Sequence, residues 1–329
     1  MLIDTVYVER EVAAHPRTAR VLAHINPRQI IACDHYGEIF NRHNQNFRLQ
    51  KARPALILAA KHGRRLLPVP AGYGFDHAPA HYFSHMLNCL YDCRYCFLQG
   101  MFRSAHYVLF VNYEDFIADI HMQCEASSEA CWLFSGYDCD SLALEPITGF
   151  AREFIPACAA LPNAWLELRS KSTQVRALLA MPPMPRCVCA FSLSPTETVE
   201  RFEHRTPSLA ARLAAIARLQ AHGWTIGLRF DPIVPSANFE AEYHALFATV
   251  FAALDATRLH SVTLGALRLP RAQARGIARL YPDEPLFALA STEHHGLLTY
   301  ASDADQRLDW CAAEIGRHVD AARIFRQAA

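Results

Sequence analysis

From residue 81 onward the chain alternates short apolar runs with segments of helical periodicity. Apolar residues recur every three or four positions in "NYEDFIADIHMQC" and "PSLAARLAAIARLQAHG", which predicts helices. The apolar runs are rich in β-branched and aromatic residues, as buried strands are. Seven strand-like runs result: "HYFSHML", "YVLFVN", "CWLFSG", "AWLELRS", "CVCAFSLS", "TIGLRFDPI" and "SVTLGAL".

This alternation predicts successive β/α units around a parallel sheet. The strands are apolar almost throughout, so both faces of the sheet should be covered. A barrel and a doubly wound sheet satisfy this condition equally well. In either architecture, ligands bind where the carboxyl ends of the strands meet the following loops.

The two ends of the chain have different patterns. Residues 1–78 contain three short strand-like runs, a helical stretch after His15 and the start of a Pro/Gly-rich linker, "PVPAGYGFDHAPAH". They predict a small α/β subdomain ahead of a core at 79–283. Residues 284–329 contain "EPLFAL" and "HGLLTY", which we expect to pair as a hairpin, and then an amphipathic helix in "DADQRLDWCAAEIGRHV".

Composition narrows the class of protein. The chain has 329 residues, 52% hydrophobic and 19% charged, which indicates a globular protein. Lys plus Arg equals Asp plus Glu at 32 each, so the net charge gives no indication of a nucleic-acid partner. The amino-terminal residues do not resemble a signal peptide, and no apolar run is long enough to span a bilayer. We therefore expect a cytoplasmic protein without a membrane partner.

Three cysteines, Cys89, Cys93 and Cys96, lie close together in "NCLYDCRYCFLQGMF", just after the first strand of the core. The total of eleven cysteines is odd and irregularly spaced, which indicates reduced thiols rather than a disulfide framework. Three thiolates can hold three irons of a cubane cluster and leave the fourth open to a ligand. A zinc site would need a fourth ligand. The histidines near enough in sequence are His81, His85 and His106.

The spacing Cys-x3-Cys-x2-Cys, with Tyr95 directly before the third cysteine, resembles the signature of the radical S-adenosylmethionine superfamily. The resemblance implies that Cys89, Cys93 and Cys96 hold a [4Fe-4S] cluster whose open iron binds S-adenosylmethionine. One electron would cleave the cofactor to a 5′-deoxyadenosyl radical that abstracts hydrogen. An electron donor such as flavodoxin or ferredoxin would then be a partner.

Longer stretches resemble the spore photoproduct lyase family, which reverses a thymine–thymine adduct in DNA. The resemblance rests on "TVYVEREVAAHPRTARVLA", "CRYCFLQGMFRSAHYVLFVNYEDF", "CAFSLSPTETVERFEHRTPSLAARL" and "HGWTIGLRFDPIV". It implies an α/β fold, namely a partial (β/α)6 TIM-type barrel of the radical SAM type. A small amino-terminal α/β subdomain and a carboxyl-terminal hairpin plus helix would flank the barrel.

The resemblance also implies cofactor contacts. The backbone of Phe97 would meet the adenine, Lys171 would pair with the cofactor carboxylate, and Ser192 would bond the ribose. Ser135 and Gly136, in "SGYD", would meet the methionine amino group, although this stretch departs from the usual glycine-rich form. Three further residues would brace the loops: Glu203, Thr206 and Arg212.

The family returns a hydrogen atom to the product from a cysteine and relays it through two tyrosines beside the third cluster cysteine. Here Tyr95 is retained, but Phe97 replaces the other tyrosine. Alignment on "LEPIT" places Tyr137 at the position of the donor cysteine, and Cys139 follows two residues later. A thiol or a phenol can supply a hydrogen atom, so Cys139, Tyr137 and Tyr95 are the catalytic candidates. A thiol donor should be partly buried and neutral.

Three hypotheses for the function follow. The first is a carbon–carbon lyase that reverts a pyrimidine-dimer lesion in DNA, with the hairpin wedging the duplex. The second is a radical enzyme acting on a nucleotide, a peptide or another small molecule. The third is a non-enzymatic iron–sulfur protein for electron transfer or sensing. A DNA partner predicts a local basic stripe, for which the candidates are Arg268, Arg271 and Arg275.

Overall fold

A computed structural model of the protein describes residues 3–69 and 80–327. The predicted linker lies largely outside these residues, because its central part is 70–79. No helix in the described ranges is both long and apolar enough to cross a membrane.

The described chain forms eighteen strands and twelve α-helices. The strands are β1 (Thr5–Glu9), β2 (Gln29–Cys33), β3 (Leu56–Ala59), β4 (Leu67–Pro68), β5 (Ala80–Phe83), β6 (Met86–Leu87), β7 (Asp92–Cys93), β8 (Tyr107–Phe110), β9 (Cys131–Ser135), β10 (Ala164–Ser170), β11 (Cys187–Ser192), β12 (Glu203–His204), β13 (Thr225–Ile233), β14 (Leu259–Ala266), β15 (Arg268–Pro270), β16 (Ser291–His294), β17 (Leu297–Tyr300) and β18 (Ile324–Arg326). The helices are α1 (Pro16–Ile25), α2 (Phe47–Ala52), α3 (Leu98–Met101), α4 (Tyr113–Glu125), α5 (Glu145–Thr148), α6 (Phe150–Ala159), α7 (Arg176–Leu179), α8 (Thr196–Phe202), α9 (Leu209–His222), α10 (Phe239–Ala253), α11 (Arg271–Leu280) and α12 (Ala304–Ile315).

The centre of the fold is a curled eight-stranded sheet with the order β18-β14-β13-β11-β10-β9-β5-β4. The six strands from β14 to β5 in this order pair parallel to one another, and helices separate most of them along the chain. This confirms the predicted partial (β/α)6 barrel. At the two edges of the sheet, β18 adds a parallel strand and β4 an antiparallel one.

A second sheet, of order β2-β1-β3-β8-β6, precedes the barrel. The run "YVLFVN", interpreted from the sequence as a strand of the core series, belongs to this sheet instead. It forms β8, which pairs parallel to β3 and antiparallel to β6. All four residues of β8 are fully buried, so its apolar pattern would fit either sheet equally well. The second sheet thus contains strands from both sides of residue 78, and the division at that position stays a prediction.

The carboxyl-terminal region contains a hairpin, but not the one expected. β17 pairs with β16 rather than with "EPLFAL", whose residues Pro285–Ala288 form a 3-10 helix. Proline cannot donate a hydrogen bond to a strand ladder, which disfavours a strand at Pro285. The two-residue turn His295–Gly296 has positive φ at both positions, 49° and 79°, as a tight hairpin requires. The predicted helix after the hairpin forms α12.

The interior of the partial barrel is filled in layers. Near the amino ends of the strands, the rings of Trp132 and Trp165 stack at 4.8 Å, and His260 lies 5.4 Å from Trp165. Above them, Arg229 pairs with Glu167 at 2.7 Å, and both side chains are fully buried. The ion pair and the rings fill the amino-terminal part of the interior, and a cavity opens towards the carboxyl ends of the strands.

A buried carboxyl group at the start of α5 makes stability depend on pH. Glu145 is 3% exposed, and one of its oxygens accepts a hydrogen bond from Ala151 N at 3.0 Å. Burial raises the pKa of Glu145 from 4.5 to about 7. The folded state therefore binds the proton more tightly than the unfolded state. The stability from this group is fully present below pH 4.5 and is lost as pH rises through 7.

Glu145→Gln should remove this dependence. We expect the variant to be more stable than the wild type at pH 8 by about 2–3 kcal/mol, with little difference at pH 4. Urea unfolding at both values measures the effect. Glu240→Gln, at an exposed position on α10, is the control and should follow the wild type. Parallel pH profiles for Glu145→Gln and the wild type would contradict the prediction.

Candidate functional site

A cavity of about 390 Å³ lies at the carboxyl ends of the barrel strands, beside the loop 88–102 that carries the three close cysteines. We call this loop the cysteine loop. All the site residues predicted from the sequence line this one cavity, although they come from distant parts of the chain. They are Cys89, Cys93, Tyr95, Cys96, Phe97, Ser135, Gly136, Tyr137, Cys139, Lys171 and Ser192.

The cysteine loop is held from two sides. Its short strand β7 pairs antiparallel with β12, with Cys93 opposite Glu203. From the other side, the ammonium of Lys51 on α2 donates to the carbonyl oxygens of Cys89 at 3.4 Å and Tyr91 at 3.1 Å. Lys51 is 7% exposed, so these bonds lie away from solvent. The protein itself therefore fixes the path of the loop.

The three cysteines of the loop are free thiols. Burial raises the pKa of each of them, and it brings that of Cys93 to about 12. Within residues 3–69 and 80–327, no three His, Cys, Asp or Glu side chains are grouped closely enough to hold one metal ion. A cubane cluster makes a different demand, because each thiolate binds its own iron. Three free thiols along one cavity wall fit that donor set.

Two of the histidines that could complete a zinc site have other contacts. His85 is 1% exposed and its ring stacks on Phe150 at 3.9 Å. His106 Nδ1 accepts a hydrogen bond from Ala55 N at 3.0 Å. These contacts occupy the ring face of His85 and the Nδ1 atom of His106.

A buried carboxylate, Glu203, organises the charges beneath the cysteine loop. It accepts hydrogen bonds from Lys171 Nζ at 2.7 Å and from the Tyr95 hydroxyl, and it pairs with Arg212. Burial by itself would raise the pKa of Glu203, but the charges of Lys171 and Arg212 lower it to about 2. Arg212 also donates to Thr206 Oγ1 at 2.7 Å. The three residues expected to brace the loops thus form one connected network.

Asp140 ties the loop after β9 to the end of β10, a role that was not predicted from the sequence. Its carboxylate accepts hydrogen bonds from Lys171 N and Ser170 Oγ, both at 2.7 Å, and from Leu142 N and Ala143 N at 3.0 and 2.8 Å. Lys171 is therefore positioned twice, through its backbone by Asp140 and through its side chain by Glu203. In the sequence, the feature that could have indicated this role is an acidic residue in the loop that follows a strand.

The turn after β9 requires glycine. Gly136 has φ +81°, and a β-carbon there would lie 2.5 Å from Ser141 Oγ and 3.0 Å from Arg169 O. The hydroxyl of Ser135 bonds to Ser141 Oγ at 2.8 Å and donates to Glu167 O at 2.9 Å. These contacts place the backbone of Ser135 and Gly136 at the cavity wall. Ser192, at the end of β11, presents a hydroxyl without a hydrogen bond in the described chain.

The two candidate hydrogen donors lie in the loop that follows β9. The ring of Tyr137 is 4.4 Å from that of Tyr82 and 5.5 Å from that of Phe97. Cys139 is 6% exposed, and burial, with Asp138 and Asp140 nearby, raises the pKa of its thiol well above the usual value. The thiol is therefore neutral, as a hydrogen donor must be. Both side chains line the cavity, and their roles stay predictions.

The three arginines of the predicted basic stripe occupy different surroundings. Arg268 on β15 lines the cavity, and Arg275 on α11 is exposed to solvent. Arg271 pairs with Glu293 of the hairpin at 3.0 Å. Arg268 thus lies in the cavity and Arg275 outside it, and the basic stripe stays a prediction.

Comparison with known proteins gives the family of the chain. The sequence model of the family described as "Spore photoproduct lyase" matches residues 76–294, more than half of the chain. Spore photoproduct lyases of Geobacillus sp. (strain Y412MC61) and Bacillus subtilis (strain 168) are each 25% identical over 202 and 203 residues. The matched part is 60% of this chain and 59% of each relative, so the chain spans about three fifths of their length.

Solved structures share the fold over the whole chain. A spore photoproduct lyase double mutant with bound AdoMet and dinucleoside spore photoproduct has a TM-score of 0.85 at 18% identity, over 100% of this chain and 99% of that one. Another spore photoproduct lyase, complexed with dinucleoside spore photoproduct, has a TM-score of 0.84 at 17% identity, over 99% and 98% of the two chains. The match of the family sequence model and these folds lead to one conclusion: the chain belongs to the spore photoproduct lyase family.

Proposed function

We propose that this protein is a radical S-adenosylmethionine lyase that reverts a pyrimidine-dimer lesion in DNA. The observation that carries the proposal is the meeting of the three signature cysteines, Lys171 and Ser192 around one cavity at the carboxyl ends of the barrel strands. Ligand chemistry in parallel β/α barrels takes place at that end. A protein for electron transfer alone would need neither the lysine nor the serine.

The donor set fits the proposed cofactors. Cys89, Cys93 and Cys96 would hold a [4Fe-4S] cluster through three of its irons. Together with S-adenosylmethionine, such a cluster supplies a 5′-deoxyadenosyl radical that abstracts hydrogen. Among the proposed cofactor contacts, Lys171 provides a positive charge for the cofactor carboxylate and Ser192 provides a hydroxyl for the ribose. Both residues line the cavity. The remaining proposed cofactor contacts are the backbone of Phe97, Ser135 and Gly136.

The proposed substrate is a lesion drawn out of the DNA stack. An enzyme that acts on bases inside a duplex must extrude them into its pocket, and a damaged pair costs less to extrude. The solved relatives named above contain a dinucleoside photoproduct. Arg268 and Arg275 provide positive charge from the cavity outward, where phosphates would pass.

A repair assay tests the proposal. Protein reconstituted with iron and sulfide without oxygen should, with S-adenosylmethionine and a reductant, decrease the number of dimers in irradiated DNA. Binding to irradiated oligonucleotides should weaken steeply with salt, because phosphate contacts release counterions. Unirradiated DNA is the control. If 5′-deoxyadenosine forms but DNA neither stimulates it nor is repaired, the substrate is a nucleotide, a peptide or another small molecule.

The hydrogen donor can be identified by two substitutions. Cys139→Ala should leave cofactor cleavage intact and divert the product to a trapped or solvent-quenched species, because the neutral buried thiol is lost. Tyr137→Phe removes only a hydroxyl and should have the smaller effect. Product analysis by mass spectrometry in deuterated water measures both. Normal repair by Cys139→Ala would assign the donor to Tyr137 or to a group outside this loop.

Two further expectations accompany the proposal. Reduction of the cluster requires an electron donor such as flavodoxin or ferredoxin, and the enzyme should work in the cytoplasm. Tyr95, the residue of the cysteine loop that hydrogen-bonds to Glu203, is the proposed relay between the donor and the cofactor. Its hydroxyl donates to Glu203 and accepts from Lys171 Nζ, so its orientation is fixed.

A further inference from the structure

We propose that Arg169, Asp231 and Gln327 form a wall that recognises the imide edge of a thymine-type base. The three residues line the cavity at the carboxyl ends of β10, β13 and β18, and none of them belongs to the predicted cofactor contacts. The inference rests on the proposed function and adds the residues that would select the base. An imide edge presents a carbonyl, an N–H and a second carbonyl in a row.

Gln327 supplies the first observation. It follows β18 directly and is 7% exposed, yet it lines the cavity. Its Oε1 is buried without a hydrogen-bond partner in the described chain, and its Nε2 makes no hydrogen bond there either. A buried amide oxygen without a partner costs about 1–3 kcal/mol unless a ligand supplies one. Gln327 is therefore suited to receive a ligand with both a donor and an acceptor.

Asp231 lies beside this amide. A β-carbon at Gly265 would be 2.7 Å from Asp231 Oδ1 and 3.3 Å from Gln327 Oε1, so glycine lets both oxygens approach over the backbone. The carboxylate accepts no hydrogen bond within the described residues, and its charged neighbour is Arg169 at 3.7 Å. An N–H group of a ligand is the complement that these acceptors need.

Arg169 supplies the donors. Its Nε contacts Glu167 at 3.3 Å and its Nη1 is 3.7 Å from Asp231, which together fix the plane of the guanidinium. The side chain is 33% exposed, and its Nη2 makes no hydrogen bond in the described chain. A planar guanidinium held in this way can donate to a carbonyl oxygen of a base.

Together the wall offers donors from Arg169, two neighbouring acceptors in Asp231 Oδ1 and Gln327 Oε1, and a donor from Gln327 Nε2. This order complements the carbonyl, N–H and carbonyl of thymine. Cytosine would place an unprotonated ring nitrogen against the Asp231 carboxylate and an amino group against a donor. Each mismatch leaves buried polar groups unpaired, which is how a site discriminates most strongly between similar ligands.

Binding without turnover tests the inference. The ligands are the dinucleoside photoproduct of thymidine and the same compound methylated at N3 of one base or the other, titrated without reductant. N3-methylation of the recognised base should weaken binding to the wild type about tenfold, by loss of one hydrogen bond to a charged acceptor. Asp231→Ala should reduce that penalty to about twofold or less. Gln327→Leu should weaken binding of the unmethylated compound about tenfold.

Matched controls are Asp305→Ala and Gln306→Leu, at exposed positions on α12, which should bind as the wild type does. Circular dichroism checks that each variant is folded, and the comparison of ligands on the wild type needs no variant. Equal binding of the methylated and unmethylated compounds by the wild type would overturn the inference and leave the proposed function standing. Failure of the wild type to bind any of these dinucleosides would overturn both.

Discussion

Cys96→Ala should abolish both iron binding and cleavage of S-adenosylmethionine. The wild type, reconstituted without oxygen, should contain about four irons, and the variant close to none, because a cubane held by two thiolates is not retained. Formation of 5′-deoxyadenosine should fall below detection. Cys89→Ala and Cys93→Ala should behave in the same way, since all three thiols line the same cavity wall. Iron and sulfide analysis and the electron paramagnetic resonance of the reduced protein measure the loss.

Cys33→Ala is the control for this loss. Cys33 is also a buried free thiol, but it lies at the end of β2 in the second sheet. It should keep its iron and its activity. Retention of a normal cluster by any of the three loop variants would remove that cysteine from the ligand set. Tetrahedral zinc in the wild type purified without oxygen would contradict the cluster itself.

Glu203→Gln should strongly destabilise the folded protein. It removes the negative charge that pairs with Arg212 and Lys171, and Arg212 is fully buried. Removing one partner of a buried ion pair costs about 3–5 kcal/mol, because the other charge stays in an apolar environment. Guanidinium unfolding of the wild type and the variant measures the difference.

Glu197→Gln provides the comparison, at an exposed position on α8 a few residues before Glu203. It should change the free energy of unfolding by less than about 0.5 kcal/mol. An equally small change for Glu203→Gln would mean that Arg212 finds other acceptors. Those available are the carbonyl oxygens of Pro207 and Ser192, which already accept from Arg212 at 2.9 and 3.1 Å.

The fold could be predicted where local pattern determines structure. Apolar runs separated by helical segments predict parallel β/α units, and six such strands form the barrel. The apolar pattern gave the wrong sheet where it contains no information on which strands pair. β8 is buried on both faces, so it fits the second sheet as well as the barrel. In the hairpin, Pro285 and the turn at His295–Gly296 outweighed the apolar character of "EPLFAL".

In the site, too, local sequence predicts some features and not others. The three cysteines lie within one short segment, so their spacing could be interpreted directly. The contacts that position Lys171 join segments far apart in sequence, since Glu203 and Asp140 are each about thirty residues away. Gln327 is more distant still, and its unpartnered amide is visible only in three dimensions. Local spacing identifies chemical groups, whereas their orientation depends on the complete fold.

The anchoring of the cysteine loop has a consequence for the life of the enzyme. Lys51 and the β7–β12 pair hold the loop through protein contacts alone. In small zinc domains the metal itself drives folding. Here protein contacts hold the loop as well, so we expect the chain to stay folded without the proposed cluster. If oxygen removed that cluster, the same folded chain could be loaded again without new synthesis.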